Sequence, residues 1–234
     1  MRRELAAGSS PGRAVTSVMR VPLRFCAHCG TRLKRRWNAR EQRSRRACPQ
    51  CNTVVYENPK VLVTTIVTWG DKVLLCQRAE PPAQGRWNAP SGFMECGETL
   101  EEAAAREIRE ETRVCIDPDE LHLYAVSTLR NISEVYVSFR AEAREPRVEC
   151  GSECLEARYF TEEEFPWDRL AYPEMIGFFR LFFRERRAGA FSIHLTHLDS
   201  VGIARSSYRI VAMENVKEAR SARRARRTAA TDEP

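Results

Sequence analysis

The amino-acid sequence predicts an α+β chain in which a small cysteine module precedes one domain of ordinary size. Three observations carry this. Two CxxC pairs, Cys26/Cys29 and Cys48/Cys51, stand eighteen residues apart near the start. Runs rich in β-branched residues lie on both sides of one strongly capped helix. An amphipathic segment over 175–187 closes the pattern. With 234 residues and 43% hydrophobic content, the chain can bury one core of typical size and still carry a small module.

Residues 1–24 hold Gly, Ser, Pro and Arg without apolar periodicity and are expected to form a disordered basic extension. Glu4 is the only acid there, so an organelle-targeting peptide is the alternative reading. Residues 25–55 contain the four paired cysteines, whose spacing resembles a zinc ribbon. Four thiolates close a tetrahedral shell around Zn²⁺ and leave no position for water, so such a site is structural. His28, inside the first pair, is expected to be exposed, since the thiols already fill the site. A linker, YENPK, opens the main domain over 56–200.

In that domain Val61–Trp69 and Lys72–Gln77 read as a hairpin turning at Gly70-Asp71. Arg86–Ser91 is a short extended piece. Thr99 reads as an N-cap, with Glu102 three residues on completing a capping box, so a helix is expected over about 100–112. Leu121–Arg130 and Ile132–Ala143 read as strands joined near Asn131, and Ala157–Thr161 as a further strand. The last helix spans 175–187 and stops at Gly189. Its MIGFFRLFF run is short and interrupted by Arg180, so no membrane span is expected. Residues 201–234 read as a basic disordered tail.

Charge divides the chain. Residues 1–47 carry a net +11, residues 48–203 a net −9 and residues 204–234 a net +4. The acidic middle suits a metal-dependent site. The basic flanks could attract nucleic acid through sequence-independent forces. Nine cysteines, four of them in metal-ligand spacing, with no convincing signal peptide, point to a reducing, cytoplasmic setting.

The helix carries the chemistry. Glu107, Glu110 and Glu111 fall at i, i+3 and i+4 on one face. Three carboxylates there repel each other unless a cation lies among them, and hard divalent cations such as Mg²⁺ take oxygen ligands and bridge carboxylates to phosphates. A solvated acidic face is the bland alternative. Against it stands the order Gly92, five residues, Glu98, seven residues, Arg106-Glu107, then Glu110-Glu111. That order resembles the Nudix box, and the whole resemblance covers about residues 25–195. One position departs: Arg113 stands where the box has Gly. Ser91 before Gly92 is a milder change from Ala.

The resemblance implies a mixed sheet sandwiched between helices, preceded by the ribbon. It implies Mg²⁺- or Mn²⁺-dependent hydrolysis of a pyrophosphate bond in a nucleoside diphosphate derivative, releasing AMP and a second phosphate product. The zinc-ribbon branch with plant FAD/ADP-ribose pyrophosphatases is the one this chain looks like, which makes FAD or ADP-ribose the expected substrate. Bacterial NADH pyrophosphatases also carry a ribbon, but their SQPWPFP-like marker is missing from STLRNISEVYVSF. The separate ADP-ribose marker, a Pro beyond the box, is missing too, with Leu129 and Arg130 in that region. The alternative is an NADH-type activity, or removal of nucleotide caps from RNA with ribbon and basic flanks binding the nucleic acid.

Within this frame Glu110 and Glu111 are expected metal ligands, with Glu107 a third ligand or the base, and the Gly92 carbonyl a further ligand. Arg106 is expected to hold the glutamates by a fork-like pair, and Glu98 to support it. Glu153 is the candidate downstream base, against the reading of an exposed loop Glu. Cys150 and Cys154 flank it and read as free or buried thiols; Cys96, in the box loop, could be oxidant-sensitive. Tyr56, Trp87 and Phe93 are weighed as base platforms against packing, and Arg78 and Arg86 as phosphate contacts. A homodimer is expected, the ribbon serving in dimerisation or folding.

Overall fold

The computed structural model describes residues 22–130, 132–198 and 207–214, and divides the chain into two compact units at Glu57/Asn58. The expected basic extension over 1–24 lies almost wholly outside the described residues, as does Asn131.

The first unit holds three antiparallel strands, β1 (Lys34–Asn38), β2 (Arg43–Ala47) and β3 (Val54–Val55), in that order. Its core is small: Cys26, Leu33 and Cys48 are buried, with Cys29, Cys51 and Val55 packed against them. The two CxxC pairs make the same turn twice. Gly30 N–H donates to Cys26 O at 2.9 Å and Asn52 N–H to Cys48 O at 3.1 Å. Gly30 and Asn52 both take positive φ, 70° and 58°, the left-handed conformation that Gly and Asn adopt at little cost.

The second unit is a nine-stranded mixed sheet with one helix on each face. Its long strand, β4 (Lys60–Trp69), turns at Gly70-Asp71 into β5 (Lys72–Arg78), as the hairpin signal predicts. Two short strands follow, β6 (Trp87–Asn88) against β5 and β7 (Ser91–Phe93) against β4. Helix α1 (Leu100–Thr112) has the predicted bounds. Then come β8 (His122–Leu129), β9 (Glu134–Glu142), β10 (Cys154–Phe160), α2 (Glu174–Ala188), β11 (Phe191–Leu198) and β12 (Ser207–Glu214). The strand order is β10-β5-β4-β9-β8-β11-β12, with β4–β9 and β8–β11 parallel.

Alternation along the strands feeds two cores. Val63, Val67 and Leu74 pack with Ala103, Ala104 and Ile108 of α1. Ile66, Val73 and Leu75 point the other way, onto Phe179, Phe182 and Phe183 of α2. Helix α2 ends as expected at Gly189, φ 68°. No helix among the described residues is long and apolar enough to cross a membrane.

One sequence-based assignment is corrected. The range 201–234, read as a disordered tail, contains strand β12, whose backbone pairs along its length with β11. The partner is supplied by a strand that was itself not anticipated, and the short run around Tyr208, Ile210 and Val211 was the signal. The rest of that range lies outside the described residues.

Candidate active site

Helix α1 is built to start where it does. Thr99 Oγ1 accepts from Glu102 N–H at 3.1 Å, and the Glu102 carboxylate accepts from Thr99 N–H at 2.8 Å, so the capping box is closed. This sets the phase of the helix and hence the face that carries Glu107, Glu110 and Glu111.

Arg106 organises that face. Its Nε donates to Glu98 Oε1 at 2.6 Å and its Nη2 to Glu98 Oε2 at 3.0 Å, a two-pronged grip across eight residues. Its Nη1 reaches Glu107 at 2.6 Å and Glu110 at 3.2 Å, and Nη2 also donates to the Phe93 carbonyl at 3.0 Å. Bidentate charge-assisted bonds of this kind are the strong ones. The Arg106 hydrogen bonds hold the Glu98 carboxyl down to about 2. Glu98 is therefore tied to the guanidinium and also accepts from Glu95 N–H at 3.0 Å.

The three face glutamates differ in burial. The Glu110 side chain is 55% exposed, that of Glu107 only 14%. Burial pushes the Glu107 carboxyl up despite its bond to Arg106, and the charges of Glu110 and Glu153 add to the push. Burial drives Glu111 further, to about 8, with the Glu107 charge contributing; the Cys76 thiol and the Ser91 backbone N–H, both hydrogen-bonded to it, act in the opposite direction. Titratable groups displaced this far by burial and like charge mark functional sites more often than structural ones.

Gly92 lets the Glu107 carboxylate approach the backbone. A Cβ at that position would sit 2.2 Å from the Glu107 carboxyl carbon, so the carboxylate lies directly against the β7 backbone. Gly151 plays the corresponding part on the other side, where a Cβ would lie 1.8 Å from the Glu110 carbonyl. Gly151 N–H donates to Glu111 O at 2.8 Å and Glu149 N–H to Thr112 O at 3.0 Å. These bonds dock the loop carrying Glu153 onto the end of α1. The exposed Glu153 is held through its carbonyl, which accepts from Ala79 N–H at 2.9 Å.

Most other candidates lie elsewhere. Trp87 is core, 3% exposed. Tyr56 belongs to the first unit, beneath the Arg45 guanidinium. Phe93, the last residue of β7, adjoins the site through its carbonyl, but its ring is 41% exposed with the Lys60 ammonium 4.8 Å from its centre. Arg78 and Arg86 brace loops, donating to the Pro82 and Asp168 carbonyls. Cys96 and Cys150 are exposed and Cys154 buried. Cys76 went unanticipated: it reads only as an inward position of β5, and its closeness to Glu111 depends on how β5 faces α1.

The four ribbon cysteines do come together, with all ligand atoms within 4.8 Å of one another. Cys29 Sγ lies 3.4 Å from Cys48 Sγ and 3.6 Å from Cys51 Sγ. The Thr53 hydroxyl, 3.0 Å from Cys51 Sγ, helps draw that thiol down to about 6, toward the thiolate that metals bind. His28 is exposed. The set is positioned for metal binding.

The family model described as NUDIX domain matches residues 59–182, and one described as Nudix N-terminal, a zinc ribbon, matches 24–57. A NUDIX hydrolase from Nitrosomonas europaea has a crystal structure that is 39% identical, with a TM-score of 0.72, covering 76% of this chain and all of that one. Among curated proteins, an NAD-capped RNA hydrolase NudC from Pseudomonas aeruginosa is 37% identical over 91 residues, 39% of this chain and 31% of that protein. An ADP-ribose pyrophosphatase from Methanocaldococcus jannaschii is 48% identical over 58 residues, 25% of this chain and 34% of that protein. The chain spans about a third of the length of these curated relatives.

Proposed function

The chain belongs to the Nudix family, and from that membership we propose that it hydrolyses the pyrophosphate bond of a nucleoside diphosphate derivative, ADP-ribose or FAD, to AMP and a second phosphate product. The observation that carries this is the Arg106-centred cluster of Glu98, Glu107 and Glu110 beside a half-buried, charge-strained Glu111. The similarity to an ADP-ribose pyrophosphatase supports the substrate; nothing structural bears on FAD. The NADH and ADP-ribose markers are both missing, so the ranking rests on that similarity and on the zinc-ribbon branch the chain resembles.

The donors fit a hard divalent cation. All are oxygens, and a half-buried Glu111 pushed up to about 8 is a carboxyl whose ionised form a nearby cation would favour. Glu107, Glu110, Glu111 and the Gly92 carbonyl would hold Mg²⁺ or Mn²⁺. Such an ion neutralises phosphate charge and acidifies water. Arg106 keeps Glu107 and Glu110 aimed, while Glu153 accepts the proton of the attacking water from the docked loop. Zn²⁺ on Cys26, Cys29, Cys48 and Cys51 is structural. The free cysteines fit a reducing, cytoplasmic setting.

A second reading, removal of a nucleotide cap from RNA, is favoured by the NudC-named relatives and by the basic ribbon. The test is product release from ADP-ribose, FAD, NADH and NAD-capped RNA with Mg²⁺ or Mn²⁺. ADP-ribose turnover should fall at least ~100-fold in Glu110→Gln. Equal turnover by wild type and variant would sink the reading.

A further inference from the structure

The ribbon hairpin has a surface that its metal site does not explain. Residues 22–57 hold nine basic residues and two acidic ones. Both acids are engaged: Glu41 pairs with Arg45 at 2.8 Å and Glu57 with Arg46 at 3.5 Å. Lys34, Arg35, Arg36 and Arg43 are exposed and form no ion pair among the described residues. Trp37, at 64%, is the most exposed large apolar side chain among them. It has no ring or cation–π partner among the described residues, unlike Tyr56, which Arg45 covers.

Register places these groups together. In β1, residues two apart share a face, so Arg35 and Trp37 point the same way. Their cross-strand partners in β2 are Arg46 and Ser44. One face thus offers a bare indole beside the Arg35/Arg46 pair, and the opposite face, with Lys34, Arg36, Arg43 and Arg45, is cationic as well.

We propose that this hairpin face binds single-stranded RNA, Trp37 stacking on a base while the exposed Arg35 contacts the adjoining phosphate. Base–aromatic stacking combined with a cationic track is how sequence-tolerant single-strand binders work. A duplex would not offer the indole an unstacked base. A second copy of the chain is the poorer occupant, because two faces this cationic repel on approach; a dimer would use another surface. The choice of RNA over DNA rests on the capped-RNA reading above; the indole and arginine face does not.

The experiment is fluorescence anisotropy of the full chain with a labelled mixed-sequence RNA of about 20 nucleotides, long enough for such a surface, across a salt series from about 50 mM. Wild type should bind with affinity falling steeply with salt. Trp37→Ala should weaken binding about tenfold, and Trp37→Phe, which keeps a ring, should restore most of it. Arg35→Ala should lower the slope of log affinity against log salt by about 0.7. Zinc content and ADP-ribose kcat and KM should match wild type in all three variants. No wild-type binding at about 50 mM salt, or wild-type affinity in Trp37→Ala and Arg35→Ala, overturns the proposal. Equal affinity for DNA of the same sequence overturns the choice of RNA. A wild-type dimer in sedimentation that Trp37→Ala dissociates assigns the indole to a second copy, and also overturns it. Absent ADP-ribose hydrolysis with intact RNA binding would sink the pyrophosphatase reading and leave this one standing.

Discussion

The ribbon and the α1 site both gather groups that bind cations, and they relate to their cores in opposite ways. In the ribbon the ligands are the core: Cys26 and Cys48 are two of its three buried members, and Cys29 and Cys51 pack on them. In the main domain, two clusters of thirteen buried residues each form the core, and the half-buried Glu111 belongs to neither. The first arrangement makes the ligands a source of stability. The second makes the proposed ligand Glu111 a cost to stability, one that a bound cation would offset. Removing a ligand should therefore have opposite signs in the two units.

The largest effect is expected from Cys48→Ser. A structural zinc is worth roughly 10–16 kcal/mol of folding free energy, more than so small a unit can supply by apolar burial. Zinc should be lost and residues 22–57 should exchange their amide hydrogens without protection, while the main domain keeps its own melting transition. Retained protection in the ribbon would show that its hydrophobic contacts suffice, and the contrast would collapse.

Glu111→Gln should act the other way. An ordinary Glu titrates near 4.3, whereas Glu111 titrates at about 8 in the folded chain. Folding therefore favours its protonated form. The stability this gives is present below about pH 4.3 and is lost as pH rises toward 8. Gln mimics the protonated form at every pH, so the metal-free variant should be more stable than wild type, by on the order of 4–5 kcal/mol at pH 8 and progressively less toward pH 5. Mg²⁺ should raise the wild-type Tm more at pH 8 than at pH 6, since the ligand must be ionised, and should raise the variant's much less. Turnover should fall at least ~100-fold. Thermal melts over this pH range decide it; a variant less stable than wild type at pH 8 would mean that Glu111 is well accommodated as an anion.

The same contrast explains what could be read in advance. The cysteine turns and α1 were legible because their determinants are local: CxxC spacing, the Thr99–Glu102 box, glutamates at helical intervals. Features set by distant partners were not. Cys76 beside Glu111 needs the β5–α1 packing. Strand β11 escaped for a different reason. Its alternation is clean, but the polar set is the buried one: Ser192, His194 and Thr196 are inside. There His194 meets Glu185 at 3.0 Å and Thr196 donates to Ser127 at 2.7 Å. An apolar-inward reading would bury the opposite face, Phe191, Ile193 and Leu195, which the structure leaves only partly covered, and without this strand β12 has nothing to pair with.

Arg113 should give the smallest effect, because it lies outside both cation sites. It ends α1 in the left-handed conformation, φ 60° and ψ 4°, with its N–H donating to Arg109 O at 3.0 Å. Left-handed backbone costs a residue with a Cβ roughly 1–2 kcal/mol, and Gly avoids that cost. Two terms oppose the gain. Gly loses more backbone entropy on folding, about 0.4–1 kcal/mol, and a cation at a helix C-terminus is worth about 0.3–1 kcal/mol. The terms nearly cancel at their midpoints, so Arg113→Gly should stabilise by no more than about 1.3 kcal/mol, a Tm rise of at most roughly 3–5 °C in a domain of this size. Turnover should be unchanged, because Arg106 and Glu98, not the helix end, hold Glu107 and Glu110. A fall in kcat/KM without a change in Tm would place the Arg113 guanidinium on the substrate and make the departure from Gly a specificity feature.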